Sequence, residues 1–159
     1  IYDPHPPFTP PWSYADRFDP KDMPGPYFRD TDLAQQIQLK NIDFQGDVQH
    51  PNDRDCKSIQ ARYYAMIAQI DDQLNRILCA LDETGQRQNT VIVFTTDHGE
   101  MLGDHGLLEK GCRFYEGLVR VPLIFSFPDQ INMGLISNAL VELLDIPATL
   151  NILQIRVSS

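Results

Sequence analysis

The chain has 159 residues, 42% of them apolar and 22% charged, which is ordinary for one globular domain or part of a larger one. A chain of this length can bury a sizeable core. Its net charge of −9 argues against a nucleic acid as partner, because binding to a phosphate backbone needs clustered lysines and arginines. An anionic substrate stays compatible with this charge, since a single bound cation can dominate a site.

The three cysteines, Cys56, Cys79 and Cys112, are far apart and lack the spacing of a zinc site. We interpret them as reduced structural thiols, which weakly favours a reducing compartment such as the cytoplasm. No run of about 18 apolar residues occurs, so we expect no membrane-spanning helix and no membrane partner. The chain begins at Ile1 rather than Met, so we expect a processed or truncated start, and the location stays open.

The first 26 residues hold eight of the twelve prolines, and we expect an extended loop without helix there. The aromatic residues of this loop indicate that it packs against another part of the protein. Further along, Asp30 or Thr31 is predicted to cap a short helix that runs to Leu39.

Residues 58–83 carry the clearest pattern, with apolar side chains in steps of three and four. This spacing predicts one apolar stripe along a helix, and Gly85 is a natural stop behind it. We interpret the stripe as core rather than as a cofactor-binding face. Its apolar members are Tyr63, Met66, Ile67, Ile70, Leu74, Ile77, Leu78 and Leu81.

Two short β-branched runs, at residues 90–95 and 121–127, predict strands, and the first is typical of a strand buried on both faces. Residues 137–153 predict a helix, in which Pro147 either breaks the helix or starts its second half. A helix, a strand, a loop, a strand and a helix in this order indicate an α/β domain with a mostly parallel sheet.

The segment TTDHGEMLGDHG, residues 95–106, contains the tripeptide Asp-His-Gly twice. The first copy follows directly on a predicted strand, and in open α/β sheets ligands bind beyond the carboxyl ends of the strands. Asp97 and His98 can offer an oxygen and an imidazole nitrogen to a divalent cation, and Gly99 allows the backbone bend that this would need. An equally weighted alternative is that Asp97 caps a turn and His98 is an ordinary loop histidine.

Two further residues could act on an anion. Lys110 stands beside a glycine in the loop after the Asp-His-Gly copies and could hold an oxyanion, although an isolated lysine is more often a solvated charge. His5 has prolines on both sides that could aim its ring, although a histidine in a proline-rich surface loop is otherwise unremarkable.

These residues together resemble the sulfatase family of the alkaline phosphatase superfamily. The segment VIVFTTDHGEMLGDHGLLEKGCRFYEGLVRVP, residues 91–122, is similar to the family's strand, T-[ST]-D-[HN]-G, K-G and Y-E-x-x-V-R-x-P pattern. The start, DPHPPFTPP, resembles the family's P-H-x-P loop, and LLDIPATLNIL resembles its later V-D-x-x-P-T-L segment. The resemblance runs nearly from end to end.

For the fold, the resemblance implies a partial alkaline-phosphatase-like sandwich, an α/β structure with a mostly parallel central sheet flanked by helices. Residues 1–159 would form a single partial catalytic domain. Residues 1–57 would be its proline-rich and irregular segment, and residues 58–159 its α/β core portion.

For the site, the resemblance implies that Asp97 and His98 are ligands of a divalent cation, Ca²⁺ or Mg²⁺. Lys110 and His5 would be both substrate-binding and catalytic residues that contact the sulfate or phosphonate oxygens, with His5 able to protonate the leaving oxygen. Asp104 and His105, the second copy, receive no catalytic role and are interpreted as residues that fix the loop.

The implied activity is hydrolysis of a small-molecule or carbohydrate sulfate ester. One alternative keeps the fold and acts on phosphonate monoesters or phosphodiesters, since both groups are tetrahedral oxyanions. Another alternative is a non-catalytic remnant or binding module. The oligomeric state is not indicated by the sequence.

The chain departs from the family pattern at the nucleophile. Sulfatases use a formylglycine made from the Cys or Ser of a C/S-x-P/A-x-R motif, and none of the three cysteines nor any serine begins one here. The family's early pair of aspartates, which completes its metal site, is absent too. We therefore expect that the nucleophile lies in a missing N-terminal part and that the isolated 159 residues are inactive.

Overall fold

The computed structural model describes residues 2–39, 50, 52, 55–111 and 113–157. The chain divides into two compact units, one from residues 1–80 and 98–121 and the other from residues 81–97 and 122–159. The expectation of a single catalytic domain stays a prediction. Cys56 is buried and Cys79 exposed, and both carry thiols, whereas Cys112 lies outside the described residues.

The proline-rich start is not free of helix. A four-residue helix, α1 (Trp12–Ala15), begins directly after Pro11, and Pro20–Asp22 forms a 3₁₀ turn. A proline can precede or open a helix because the N–H it lacks would have no partner there. The predicted packing is confirmed, since Phe8 and Phe18 meet the rings of two adjacent tyrosines edge-on at 5.9 and 6.2 Å, namely Tyr63 and Tyr64.

The short second helix, α2 (Asp30–Leu39), forms as predicted, but its start is stabilised differently. The carboxylate of Asp32 reaches back and accepts the N–H of Arg29 at 2.8 Å. A side chain in the first turn thus satisfies a backbone donor at the helix start. The predicted capping by Asp30 or Thr31 is replaced by this bond.

The long helix, α3 (Cys56–Glu83), matches the predicted range closely. Asp55 caps it, because its carboxylate accepts the N–H of Ser58 at 3.1 Å. Packing of the apolar stripe is uneven: Met66 is buried, whereas Ile67 and Ile77 are 43% and 56% exposed. The interpretation of the whole stripe as core is therefore wrong for its exposed members, since the periodicity of a helix does not say which of its turns are covered.

The second unit contains both strands, β1 (Ile92–Thr95) and β2 (Leu123–Ser126). They pair antiparallel, with Ile92 opposite Ser126 and Thr95 opposite Leu123. Within the described residues this is the only strand pair, so a mostly parallel sheet is not confirmed. All four residues of β1 are half-buried, so the prediction of a strand buried on both faces is not confirmed either.

The last helix, α5 (Asp145–Val157), starts later than the predicted residue 137. Pro147 lies in its first turn, so of the two alternatives the proline belongs to the start of a helix. The first turn needs no partner for a proline nitrogen, whereas a helix from residue 137 would lose a bond there. Two short helical elements complete the structure in the first unit: the 3₁₀ turn Asp104–Gly106 and α4 (Glu116–Val119).

None of the helices formed by the described residues is both long enough and apolar enough to cross a membrane.

The core of the first unit that matters for the site lies under the loop after the first Asp-His-Gly. Met101 and Leu107 are each 1% exposed and pack with Leu118, and Tyr115 covers this cluster. Three well-separated parts of residues 98–121 are thereby held against one another. The loop is a packed structure and not a solvated excursion.

Replacing Leu107 with alanine removes most of a buried side chain from this cluster. We expect the free energy of unfolding to fall by about 2–5 kcal/mol, because a cavity remains where the side chain was. Urea denaturation measures the change. Phe114→Ala is the matched control, since Phe114 lies in the same segment but is 92% exposed, and its loss should change stability by less than about 0.5 kcal/mol. Equal effects of the two substitutions would contradict the assignment of this core.

Candidate functional site

The first Asp-His-Gly lies directly behind β1, as the sequence predicts. Asp97 and His98 are both exposed. The hydroxyl of Thr96 donates to a carboxylate oxygen of Asp97 at 3.2 Å. Asp97 ends the first segment of one unit and His98 begins the second segment of the other, so their convergence on one cation stays a prediction.

The ring of His98 has a defined orientation. Its Nδ1 lies 2.9 Å from the carbonyl oxygen of Gly99, and a carbonyl can only accept. Nδ1 must therefore carry the hydrogen, and Nε2 of the neutral ring carries the lone pair that a metal ion would use. A backbone carbonyl behind the ring is the usual way in which a metal-binding histidine is oriented.

Gly99 is required for a close approach of two backbones, and the chain bends two residues before it, at Asp97. The φ of Gly99 is not left-handed; the left-handed glycines of this loop are Gly103, Gly106 and Gly111. Gly99 instead donates its N–H to Leu118 at 2.8 Å, and a Cβ built on it would overlap the carbonyl oxygen of Gly117. The backbone after the metal-binding candidates is thus pressed directly against the start of α4.

The second Asp-His-Gly ties distant segments together. Asp104 accepts the N–H of Tyr27 at 2.6 Å, and the N–H of His105 donates to the carbonyl of the same tyrosine at 2.8 Å. The ring of His105 lies 3.2 Å from the carboxylate of Asp32, and it stacks on Tyr115 with 4.1 Å between ring centroids. These contacts support the interpretation of the second copy as the one that fixes the loop.

The same contacts anchor α2. The side-chain amide of Gln36, which is fully buried, donates to the hydroxyl of Tyr115 at 2.8 Å. Its carbonyl oxygen has no hydrogen-bond partner among the described residues. Sequence reasoning missed Asp32 and Gln36 in this role, because nothing in the local pattern links them to residues more than 70 positions away.

Lys110 is half-buried and follows a residue, Glu109, whose φ of 63° is left-handed. The carbonyl of Glu109 accepts the N–H of Met101 at 3.0 Å. The loop that leaves His98 therefore closes on itself just before Lys110, which brings the backbone of the cation candidate and the backbone of the anion candidate into one compact turn.

Glu100 is a further acidic residue of this segment, directly behind the first Asp-His-Gly. It is 9% exposed, and it accepts the N–H of Met101 at 3.1 Å. Burial raises the pKa of its carboxyl, and the N–H groups of Leu102, Met101 and Glu109 together with the charge of Lys110 oppose that rise. Its position directly behind Asp-His-Gly is visible in the sequence, but the sequence does not show that its side chain is buried.

His5 is exposed, and its Nδ1 lies 2.8 Å from the carbonyl oxygen of Pro6. Nδ1 therefore donates, as in His98. The ring also meets Tyr2 at 4.9 Å between centroids. No hydrogen bond or ion pair joins His5 to Lys110 within the described residues, so their action on one group stays a prediction.

The side chains of Asp97 and His98 fit part of a cation site. One carboxylate and one imidazole supply two ligands, whereas Ca²⁺ and Mg²⁺ take six or more, mostly oxygens. Within the part of the chain that the structure describes, no three His, Cys, Asp or Glu residues lie close enough to hold an ion by themselves. Asp97 and His98 thus fit two positions of a shell and leave the others to further donors.

The comparison with known proteins agrees with this set of motifs. The family model described as Sulfatase matches residues 2–153, and the chain therefore belongs to the sulfatase family, within the alkaline phosphatase superfamily. Among its relatives, an arylsulfatase of Clostridium perfringens is 35% identical over 150 residues, which are 92% of this chain and 31% of that protein.

Two further similarities bear on the fold and on the breadth of the family. The multifunctional alkaline phosphatase superfamily protein PehA of Trinickia caryophylli is 34% identical over 164 residues, 94% of this chain and 32% of that protein. The crystal structure of a phosphonate monoester hydrolase of Agrobacterium radiobacter matches with a TM-score of 0.69 and 36% identity, covering 80% of this chain and 28% of that one. The chain thus shares the fold of alkaline-phosphatase-like hydrolases and spans about a third of the length of its relatives.

The contact of Gly99 with Gly117 is open to a direct test. Gly99→Ala should lower the free energy of unfolding by about 1–3 kcal/mol, because the added methyl would displace backbone rather than a flexible side chain. Gly117→Ala is the comparison, with a smaller expected loss, since its Cβ would lie 3.3 Å from the carbonyl of Glu100, a tight contact that needs a far smaller shift, and alanine favours the helix there. Thermal unfolding followed by circular dichroism gives both values, and a Gly99→Ala variant as stable as Gly117→Ala would contradict the crossing.

Proposed function

We propose that this chain forms part of a hydrolase of sulfate esters, in which it supplies two cation ligands and two contacts to the substrate oxyanion. One observation carries the proposal: the match to the sulfatase family extends over residues 2–153 and so includes all four site positions. The four residues are His5, Asp97, His98 and Lys110, all of them exposed or half-buried. The substrate class is a small-molecule or carbohydrate sulfate ester.

Asp97 and His98 are the proposed ligands of Ca²⁺ or Mg²⁺. The orientation of the His98 ring supports this role, because the carbonyl of Gly99 holds the tautomer with the lone pair on Nε2. When bound, a divalent cation would supply positive charge that stabilises the sulfate oxygens. Asp97 brings a hard oxygen of the kind that both ions prefer.

Lys110 would act on the sulfate group and His5 on the leaving oxygen of the sulfur–oxygen bond that breaks. The ammonium group of Lys110 neutralises charge on the non-bridging oxygens of the sulfate. As a nucleophile from outside these residues bonds to sulfur, the bond from sulfur to the ester oxygen breaks, and the protonated His5 donates the hydrogen on Nε2 to that leaving oxygen, which departs as an alcohol. The bond from Nδ1 to the carbonyl of Pro6 fixes the ring for this transfer in either protonation state.

The nucleophile is proposed to come from outside these 159 residues, because no cysteine or serine of the chain stands in the C/S-x-P/A-x-R pattern. No residue described here fits a formylglycine. The reading frame upstream of the codon for Ile1 tests this part of the proposal. An in-frame C-x-P-x-R or C-x-A-x-R motif would support it, and a start codon without such a motif would overturn it.

Hydrolysis of phosphonate monoesters is the second candidate. The observation that favours it is the structural similarity to the Agrobacterium radiobacter phosphonate monoester hydrolase, at 36% identity over 80% of this chain. Sulfate and phosphonate are both tetrahedral oxyanions, so the same cation ligands and the same lysine could serve either substrate.

We expect Lys110→Ala to lower kcat/KM for an aryl sulfate by about 10²–10³ in the protein made from the complete reading frame, because one group that stabilises the transition-state charge is lost. Lys21→Ala is the matched control, since the Lys21 side chain is 89% exposed, and it should leave the rate unchanged.

Removing divalent cations with a chelator should abolish activity, and adding Ca²⁺ or Mg²⁺ should restore it.

The same assay decides between the candidates. A higher kcat/KM for a phenylphosphonate ester than for the aryl sulfate would establish the second candidate in place of the first. Turnover of neither substrate would overturn both proposals and leave a role without catalysis.

A further inference from the structure

The loop from His98 to Lys110 carries an unusual amount of left-handed backbone. Three non-glycine residues within it have φ between 50° and 63°: Leu102, His105 and Glu109. Such residues cost free energy, on the order of 1 kcal/mol each, and persist only where the surroundings hold them. His105 is held by its contacts with Asp32 and Tyr115, and Leu102 lies in a turn closed by the N–H of Asp104 and the carbonyl of Met101 at 2.8 Å. The question is what else holds Leu102 and Glu109.

Glu100 answers that question. Its carboxylate accepts the N–H of Met101 at 3.1 Å, and the N–H groups of Leu102 and Glu109 lie close enough to lower the pKa of this carboxyl against the rise that burial causes. Two of these three donors therefore belong to the two remaining left-handed residues. Successive backbone N–H groups that point into one concavity are a known way to bind an anion, and here the anion is the side chain of the protein itself.

The position of this cluster connects the two functional ends of the loop. Glu100 stands two residues after His98, and Glu109 stands directly before Lys110. The backbone bond from Met101 to Glu109, at 3.0 Å, closes the loop at the same place. A buried carboxylate that gathers N–H groups from both sides of this closure limits how far the two ends can move apart.

We propose that Glu100 is a positioning residue whose buried carboxylate holds the two ends of the loop together and thereby aims Lys110 at the bound oxyanion. The inference rests on the proposed function, because Lys110 needs to be aimed only if it contacts an oxyanion. Glu100 itself touches neither substrate nor cation. Its effect passes through the backbone of Glu109 to the lysine that follows.

One test measures how well sulfate protects Lys110 in the whole 159-residue chain. The chain is acetylated with an N-hydroxysuccinimide ester at increasing concentrations of sodium sulfate, and mass spectrometry quantifies the modification of each lysine. Sulfate should protect Lys110 and not the exposed Lys21, which serves as the internal control. In Glu100→Ala the sulfate concentration for half protection should rise about tenfold, and in Glu100→Gln about threefold, because the amide keeps the shape and one acceptor oxygen.

The matched control is Glu116→Ala. Glu116 lies in the same unit, but its side chain is 82% exposed and pairs only with an equally exposed arginine at 3.8 Å, Arg120. Its removal should leave the protection of Lys110 unchanged. Circular dichroism of each variant shows whether it is folded, and Glu100→Gln keeps the test decisive if Glu100→Ala does not fold.

A second experiment measures the protection of the loop's backbone amides, without any added anion. Hydrogen exchange of the backbone amides of Leu102 and Glu109 should become at least about tenfold faster in Glu100→Ala than in the unaltered chain, because their acceptor is gone. Exchange in α4 should remain as it is. A structural defect spread over the whole unit would accelerate both.

The outcomes separate the two proposals. If sulfate fails to protect Lys110 in the unaltered chain, the oxyanion role of Lys110 falls, and the positioning role of Glu100 falls with it. If sulfate protects Lys110 equally well in the unaltered chain and in both Glu100 variants, the positioning role alone is overturned. Unchanged exchange at Leu102 and Glu109 would overturn it as well.

Discussion

The contact between the backbones of Gly99 and Gly117 is the constraint on which the site depends. Gly99 donates to Leu118 and Glu100 donates to Gly117, so the chain that has just passed the cation candidates lies directly along the start of α4. There is no room for a side chain at Gly99. This contact sets the path of the loop on its way to Lys110, and Met101 and Leu118 bury their side chains beside it.

The two Asp-His-Gly tripeptides show how strongly the surroundings decide the role of a short motif. The first copy is exposed behind a strand, where its polar atoms can face a ligand. In the second copy, the carboxylate of Asp104 accepts the N–H of Tyr27, and the ring of His105 is hydrogen-bonded to the carboxylate of Asp32. Satisfied in this way, the second pair has little capacity for chemistry, but it holds α2 and the segment before it against the loop.

The charges within the loop are arranged differently from the charge of the chain as a whole. The chain as a whole is strongly acidic, with a net charge of −9, and within the loop the carboxylate of Glu100 is buried beside backbone N–H groups. Those N–H groups and the charge of Lys110 favour the charged form of this carboxyl. A protein with an unfavourable overall charge can thus still present a local site for an oxyanion.

How much could be predicted from the sequence depends on how far apart the interacting residues are. The periodicity of α3, the β-branched runs of β1 and β2, and the placement of Asp97 and His98 behind a strand are local properties, and each appears where it was predicted. The family pattern also assigned the second Asp-His pair to the loop rather than to catalysis. Such features are determined by a few neighbouring residues, whose side chains and backbone preferences are visible in the sequence itself.

Only the tertiary structure decided the rest. The exposure of Ile67 and Ile77, the pairing of Asp32 with His105, and the burial of Glu100 all depend on which distant segments meet. The reason for Gly99 belongs to the same group, because the sequence suggested a bend and the structure shows a backbone from another part of the chain in the space of the missing side chain. Local preference determines what an element is, whereas packing between elements separated by many residues determines which of its atoms are buried, satisfied or available for chemistry.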